Sequence, residues 1–416
     1  MAGMAQRKAK SLHNRSARFW ICAGLLAASL LFMLFQGGKL AFMLFFVTAT
    51  LAVYLALGKY SGIARISGSR VLLNMDGDRT VEAGTSLAVE FQAQIPGIWP
   101  IPYVVIRDRL VRMNGDAVTF ETSGVPDWKR RVRAGYVTMP LARGFYRFEE
   151  AVCSTEDIFG LFEHSGLLHK RDSFMVRPRT VRIADWQLHR QALKGRHFQT
   201  VTTRALREST QINGVREYIY GDRISRIHWN ATAKTGIWKS KEFERESLPK
   251  TVVMLDRCRT HYRGAAHFEL AVSVAASLLE YGQRQQLAMG LLSVGKEAVY
   301  LEPGKLSSHY RRMQHHLIGA EADGSHPIQR VLQERVRHFD PGCFFVIVSP
   351  LADERMYQAL RWIQLRQTNP CLVAVDAGLD RQAAGEWQRR LRARGIVFYA
   401  VDRLEQLPDA LGGGAR

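Results

Sequence analysis

The stretch richest in groups that could bind or react runs from Gly214 to Gly236 and on through Lys241 to Glu246. It combines Arg216, Glu217, Tyr218, Gly221-Asp222, Arg226, His228, Trp229 and Lys234 with a charged segment around Lys241 and Glu244. Gly221-Asp222 is a turn signal, and Asp222 and Arg226 are spaced to pair across one helical turn. In an extended chain Lys239, Lys241 and Arg245 project to one side, and Glu242, Glu244 and Glu246 to the other. Such a strand either bridges two partners or sits on an exposed edge guarded against aggregation. The segment reads as a brace between domains or as a docking surface, with Trp229 its buried anchor and Arg226 and Lys241 its polar contacts. His228 stands without a nucleophile or a metal-ligand companion, the usual setting of a structural histidine. Elsewhere there is no phosphate-cradling glycine loop, no G-x-S-x-G elbow, no H-E-x-x-H and no paired-cysteine zinc motif.

Two segments bracket this one. From Ile66 to Arg182 alternating apolar runs are punctuated by turn residues, as at Leu87, Val89, Phe91 and Ala93. Further extended runs fall at Tyr103–Val111, Ala117–Thr122, Lys129–Met139 and Gly144–Ala151. That spacing predicts an all-β, immunoglobulin-like antiparallel sandwich over 64–182. From Thr251 the rhythm changes to apolar strands (Thr251–Leu255, Leu287–Val294, Cys343–Val348, Cys371–Val375, Val397–Val401) alternating with amphipathic helices. The helices are Ala265–Gln283, a stretch around Pro327–His338, Glu354–Gln367 and Arg381–Arg394. Alternation of this kind predicts an open parallel α/β sheet over 251–411 with both faces covered. A basic connector, 183–250, joins the two.

The N-terminus is of another kind. Phe19–Gln36 and Leu40–Leu57 are uncharged, and each spans about 27 Å as a helix, close to the hydrocarbon thickness of a bilayer. Only Gly37, Gly38 and Lys39 separate them, so 19–58 is expected to be a transmembrane hairpin. Neither span has the polar stripe of a core helix. Five basic residues between Arg7 and Arg18 precede the first span, and Lys59, Arg65 and Arg70 follow the second. The positive-inside rule therefore places the basic tail 1–18 and the C-terminus in the cytoplasm. The five cysteines (Cys22, Cys153, Cys258, Cys343, Cys371) form no C-x-x-C pair and fit a reducing compartment. The chain has 58 basic and 38 acidic residues, a formal charge of +20. The basic residues are dispersed and no nucleic-acid-binding signature accompanies them, so no specific nucleic acid is expected as partner.

The signature segment closely resembles that of the bacterial family called domain of unknown function 58. Its pattern is R-E-Y, then G-D, R-x-I-x-W, A-[KR] and a final K-x-F-E-like strand. The matching residues are Arg216, Glu217, Tyr218, Gly221, Asp222, Arg226, Ile227, Trp229, Ala233, Lys234, Lys241 and Glu244. Arg143-Gly-Phe-Tyr146 and Asp157-Ile-Phe-Gly-Leu-Phe162 resemble two further elements of the family, with Ile158 where proline is usual. The resemblance implies a membrane anchor and a C-terminal domain of von Willebrand factor A type. It also implies partnership with a MoxR-type AAA+ ATPase and with a transglutaminase-like membrane protein.

Domains of von Willebrand factor A type can hold a divalent ion through D-x-S-x-S at the end of the first strand. The corresponding residues are Asp256-Arg-Cys-Arg-Thr260, with Asp353 a distal carboxylate. Asp256 and Thr260 offer hard oxygens, but Cys258 replaces a serine and Arg257 and Arg259 add positive charge. The expectation is no cofactor, with Mg2+ the ion such a site would take, and with Asp256 capping the segment that follows. The function expected is that of a membrane-tethered, non-enzymatic scaffold acting with the ATPase in complex assembly or at the envelope. The alternative is a metal-assisted hydrolase using Asp256 and Thr260.

Overall fold

The computed structural model describes residues 2–75, 79–115, 117–187, 212–220, 222, 224–243, 250–325 and 342–412. The chain forms two compact units, Met1–Arg177 and Pro178–Arg416.

The first unit opens with helices α1 (Ala2–Gln36) and α2 (Gly38–Leu57). Gly37 and Gly38 turn the chain between them at φ of +61° and +89°, a region glycine enters without a Cβ penalty. Both helices contain stretches long and apolar enough to cross a membrane, and almost all of that surface is uncovered. Where they touch, the Ser29 and Thr48 hydroxyls lie 2.8 Å apart, one donating to the other, as small polar residues do between apolar helices.

Ten strands follow: β1 (Ser67–Leu73), β2 (Thr80–Glu82), β3 (Ala88–Gln94), β4 (Val104–Arg112) and β5 (Ala117–Gly124), then β6 (Arg131–Val137), β7 (Gly144–Phe148), β8 (Ala151–Glu156), β9 (Glu163–Leu168) and β10 (Asp172–Arg177). One sheet runs β1-β3-β6; the other runs β2-β10-β7-β4-β8-β9, with β5 on β4. The period-2 pattern decides which face is inward: Val89, Phe91 and Ala93 of β3 are buried against Val104, Ile106, Phe148 and Val176 of the other sheet. A buried ion pair crosses this core. The Arg70 guanidinium donates to both Asp108 carboxylate oxygens (3.1 and 2.7 Å), and the Tyr136 hydroxyl donates to Asp108 at 2.7 Å. Burial pushes the Asp108 carboxyl up, against the pull of Tyr136 and then Arg70. With every partner present such a pair is tolerated; with one removed it leaves a buried charge.

The second unit contains the hairpin of β11 (Ile212–Glu217) and β12 (Lys239–Phe243), which encloses the short helix α3 (Trp229–Thr235). It continues with β13 (Lys250–Asp256), α4 (Ala265–Arg284), β14 (Ala288–Val294), β15 (Ala298–Gly304), α5 (Ser307–Gly319) and β16 (Phe344–Ser349). The last elements are α6 (Glu354–Leu365), β17 (Asn369–Val375), α7 (Arg381–Arg392), β18 (Val397–Val401) and α8 (Leu407–Gly412). The sheet order is β15-β14-β13-β16-β17-β18. Burial on both sides explains why β13, β14, β16 and β17 read as unbroken apolar runs. Side chains such as Val253, Leu255 and Val346 meet α4 on one face. Met254, Phe345 and Ile347 meet α6 on the other. From the connector, Ile183 and Trp186 are buried in the α4-side core, and the Trp186 indole donates to the Tyr399 hydroxyl at 3.2 Å.

Two expectations are corrected. The first unit is not wholly antiparallel, because β2 pairs parallel with β10 at a sheet edge. The sheet of the second unit is mixed rather than wholly parallel, because β15 pairs antiparallel with β14 at the edge. The helix expected around Pro327–His338 lies outside the described residues.

Candidate docking surface and the Asp256 cluster

The signature residues fold into a small structure of their own. β11 and β12 pair antiparallel with Val215 opposite Lys241, Arg216 opposite Ser240 and Glu217 opposite Lys239. The Tyr218 N–H continues the ladder to the Trp238 carbonyl (2.9 Å), and the His228 N–H reaches Lys239 O (2.8 Å). Beyond β11 the chain turns at Ile219–Asp222, where the Asp222 N–H donates to Ile219 O. Asp222 ties this turn down. Its carboxylate accepts from both terminal nitrogens of Arg216 at 2.8 Å and from the Ile219 N–H at 3.2 Å. Arg216, and then the Ile219 N–H, hold the Asp222 carboxyl below the usual carboxylate range. A paired, two-pronged guanidinium fixes orientation as well as charge. The Tyr218 hydroxyl closes the turn by donating to Asp222 O.

Asp222 therefore does not pair with Arg226. The expected one-turn spacing presumes helix, and 219–222 is a turn, so the carboxylate faces back to β11. Arg226 ends a short 3-10 segment and is half-buried. Ile227 and Ser240, joined by an isolated bridge, are the buried centre of the motif.

His228 lies at the start of the short helix. It N-caps α3, its Nδ1 accepting from the Ala231 N–H at 3.1 Å. Gly236, at φ +71°, ends α3, and the Thr232 hydroxyl accepts from the Lys239 N–H. Ala233 and Lys234 lie on the exposed side of α3. Lys241 is half-buried on β12, and Lys239 pairs with Glu217 at 3.2 Å. Gly221 and Glu244 lie outside the described residues, as do Arg245 and Glu246.

Trp229 is a further correction. Rather than a buried anchor, it is 62% exposed. As the first residue of α3 it stands on the outer side of the hairpin, where it meets Trp238, itself half-uncovered, with ring centroids 6.5 Å apart. Tyr218 packs edge-on against the Trp238 ring at 5.6 Å. Ile219, Tyr220, Ile224 and Ile237 of the same segment are also exposed, Tyr220 wholly so. The hydrogen-bonded frame thus presents a set of aromatic and branched apolar side chains to the outside. Trp229 and Trp238 are neighbouring aromatic rings that are both more than half exposed.

The second candidate site behaves in the opposite way. Asp256 ends β13 and Ser349 ends the adjacent β16, the point where the strand order reverses and open α/β sheets place their ligands. The Asp256 carboxylate is fully buried, and both oxygens are engaged. One accepts from the Cys258 N–H at 2.9 Å; the other lies 2.7 Å from His261 Nδ1 and accepts from the Ser349 hydroxyl at 2.8 Å. The Tyr262 hydroxyl donates to the Asp256 carbonyl, and Cys258 Sγ lies 3.2 Å from the Thr260 hydroxyl. Burial, then Asp256, push the Tyr262 phenol well up. Arg257 turns away from Asp256 to Asp323 (2.7 Å) and Glu321 O (2.8 Å). Asp353, the distal carboxylate, N-caps α6 by accepting from the Met356 N–H at 2.9 Å. His261 and Ser349 are the residues that sequence reasoning missed; neither is marked by a motif, and only the adjacency of β13 and β16 brings Ser349 to Asp256.

A chain with two membrane-length apolar helices followed by two sheet-rich units, the second built on a mixed sheet, defines a class of architecture rather than an activity. Residues 214–377 match the family model described as "Protein of unknown function DUF58". Over these residues the chain is similar to the DUF58 family. "Uncharacterized protein YeaD" of Bacillus subtilis (strain 168) is 26% identical over 321 residues, covering 75% of this chain and 77% of that relative. Among solved structures, proximal thread matrix protein 1 from the mussel byssus aligns over 39% of this chain with a TM-score of 0.29 and 8% identity. This chain spans 45% of that structure's length. A superoxide reductase (neelaredoxin) from Ignicoccus hospitalis aligns over 29% of this chain and 86% of its own, with a TM-score of 0.17 and 12% identity. Scores at this level carry no argument about fold or activity.

Proposed function

We propose that this chain is a membrane-anchored, non-enzymatic docking protein whose signature hairpin holds a partner protein at the membrane. The observation that carries the reading is the exposed aromatic pair Trp229 and Trp238, with Tyr218 packed against Trp238, on a hairpin whose turn is tied down by Arg216 and Asp222. Aromatic side chains on a rigid support are what interface hot spots are made of, because little entropy is lost when they are covered. Lys234, exposed on the same short helix as Trp229, suits the surface to a partner with acidic groups around an apolar centre. Family resemblance supplies the partner, a MoxR-type AAA+ ATPase, with a transglutaminase-like membrane protein a further member of the assembly.

The von Willebrand factor A reading of the second unit is supported by its doubly wound strand order with one antiparallel edge strand. The immunoglobulin-like reading of the first is supported by two facing sheets around one core. The apolar helices α1 and α2 form the anchor, with both chain ends in the cytoplasm on the strength of flanking charge. The alternative, a metal-assisted hydrolase at Asp256, is disfavoured because His261, Ser349 and the Cys258 N–H already use both carboxylate oxygens.

Hydrogen exchange on the full chain in detergent micelles tests the proposal. The MoxR-type ATPase, added in excess, is expected to protect the amides of 212–243 and to leave those of 255–262 unchanged. Protection at 255–262 alone would move the docking site to the end of β13 and refute the reading.

A further inference from the structure

The loops of the first unit that lie beside the helix ends carry an unusual set of apolar side chains. In the turn after β8, Asp157 accepts from the N–H groups of Phe159 (2.8 Å), Leu161 (3.3 Å) and Phe162 (2.6 Å). Gly160 takes φ +64° to complete it. This well-fastened turn holds Ile158 and Phe159 outward, 71% and 58% exposed. A second tip lies in the loop between β3 and β4, where Ile98 is 98% exposed. Arg130 fastens that loop by donating to the carbonyls of Ile95 (2.9 Å), Trp99 and Ser61 (2.5 Å). Gly62 packs so closely on it that an added Cβ would fall 1.5 Å from Pro96 O.

Both tips are level with the ends of the apolar helices. Arg18, at the foot of the apolar part of α1, donates to Gly160 O (3.2 Å) and Leu161 O (3.1 Å). Tyr54, in the last turn of α2, packs against Trp99 at 5.6 Å and Phe159 at 6.3 Å. Between the helices and this turn lies a cavity of about 600 Å³ lined by Phe19, Trp20, Leu26, Leu55, Phe162 and His164. Aromatic and aliphatic side chains at helix ends, flanked by Lys59 and Arg65, have the composition of a membrane–water interface. Rigid loops that expose apolar tips to water gain nothing in stability. The same tips resting in the headgroup layer bury area worth about 25 cal/mol per Å².

We infer that Ile98, Ile158 and Phe159 insert into the headgroup–acyl boundary of the leaflet from which α1 and α2 emerge. The first unit is then held to the bilayer at the helices and at two loop tips, and acyl chains fill the cavity beside Phe162. This inference rests on the reading of α1 and α2 as a membrane anchor.

Full-length chain reconstituted in phosphatidylglycerol–phosphatidylcholine vesicles, spin-labelled at one introduced cysteine at a time in a Cys22→Ser background, tests it. Ile98→Cys and Ile158→Cys report the tips, Val47→Cys the middle of α2, and Met113→Cys water. Met113 lies just past the far end of the nine-residue β4, about 30 Å from the Ile98 loop at 3.4 Å per residue. Collision with a water-soluble paramagnetic quencher is expected to fall roughly threefold at both tips relative to Met113, short of the full protection at Val47. Tips as open as Met113, with Val47 protected, would overturn the inference and leave the anchor standing. Quenching at Val47 equal to that at Met113 would refute the anchor and the inference together.

Discussion

The signature hairpin and the end of β13 are both dense in polar side chains, and they use them oppositely. At Asp256 the polar groups point inward and satisfy one another, while the apolar strands around them are wholly covered. In the hairpin the polar groups fasten the backbone from within, and the apolar groups face out. A buried, mutually satisfied cluster holds a fold together and offers little to a ligand. An outward apolar set on a fastened frame contributes little to folding and much to association. The difference lies in where the side chains face more than in residue type: the motif-like stretch at Asp256 is the buried one, and the hairpin is the one that leaves aromatic side chains exposed.

Substitutions at the two places should divide along that line. The largest effect is expected at Asp256→Ala, which removes the acceptor for the Ser349 hydroxyl, the Cys258 N–H and the His261 imidazole. Stranding buried polar groups costs about 3 kcal/mol or more, to be read as a lower urea midpoint of the second unit. Mg2+ at millimolar levels is expected to leave the wild-type midpoint nearly unchanged, because a ligand stabilises only through occupancy. A chelator-reversible rise that disappears in Asp256→Ala would break the comparison by making the cluster a metal site.

Next in size is Arg216→Ala. It should loosen the hairpin locally, with faster amide exchange over 212–243 and an unchanged global midpoint. Arg226→Ala should do this less, since Asp222 pairs with Arg216. The effect also carries a pH signature. A depressed carboxyl in the folded hairpin contributes stability that is present above the ordinary carboxylate value near pH 4 and is lost as pH falls through the lower folded value. Acid loosening of 212–243 below about pH 4, absent in Asp222→Asn, is the expected result; protection factors in the hairpin indifferent to pH would argue against a stabilising Arg216–Asp222 pair. The smallest stability effect belongs to Trp229→Ala, within about 0.5 kcal/mol of wild type, as befits an exposed side chain.

Much of the architecture was readable from periodicity. The two apolar spans, the alternating β3 and the apolar β13, β14, β16, β17 and β18 are legible because one variable, burial on one or both faces, governs each. The edge strand β15 and the helix α5 were not. Ala298–Gly304 is only half-covered and ends in Glu-Pro-Gly, while Ser307–Gly319 is mostly polar with arginines and histidines. The site was less legible than the fold. The Arg216–Asp222 pair depends on a turn that brings β11 back on itself, a geometry that no helical or strand spacing encodes. Whether Trp229 is covered depends on what packs over α3, and a lone aromatic in a sequence carries no mark of that. The capping role of His228 was not legible either, because the short helix Trp229–Thr235 that it caps carries no apolar periodicity of its own.

The central claim, that the hairpin's outward aromatic set is for binding and not for folding, meets its most direct test in the double variant Trp229→Ala/Trp238→Ala. Thermal melting of the full chain and its affinity for the MoxR-type ATPase would be measured side by side in detergent. The account predicts a melting temperature close to wild type and an affinity at least about tenfold weaker, a loss of roughly 1.4 kcal/mol or more. Unchanged affinity, or a large fall in melting temperature, would contradict it.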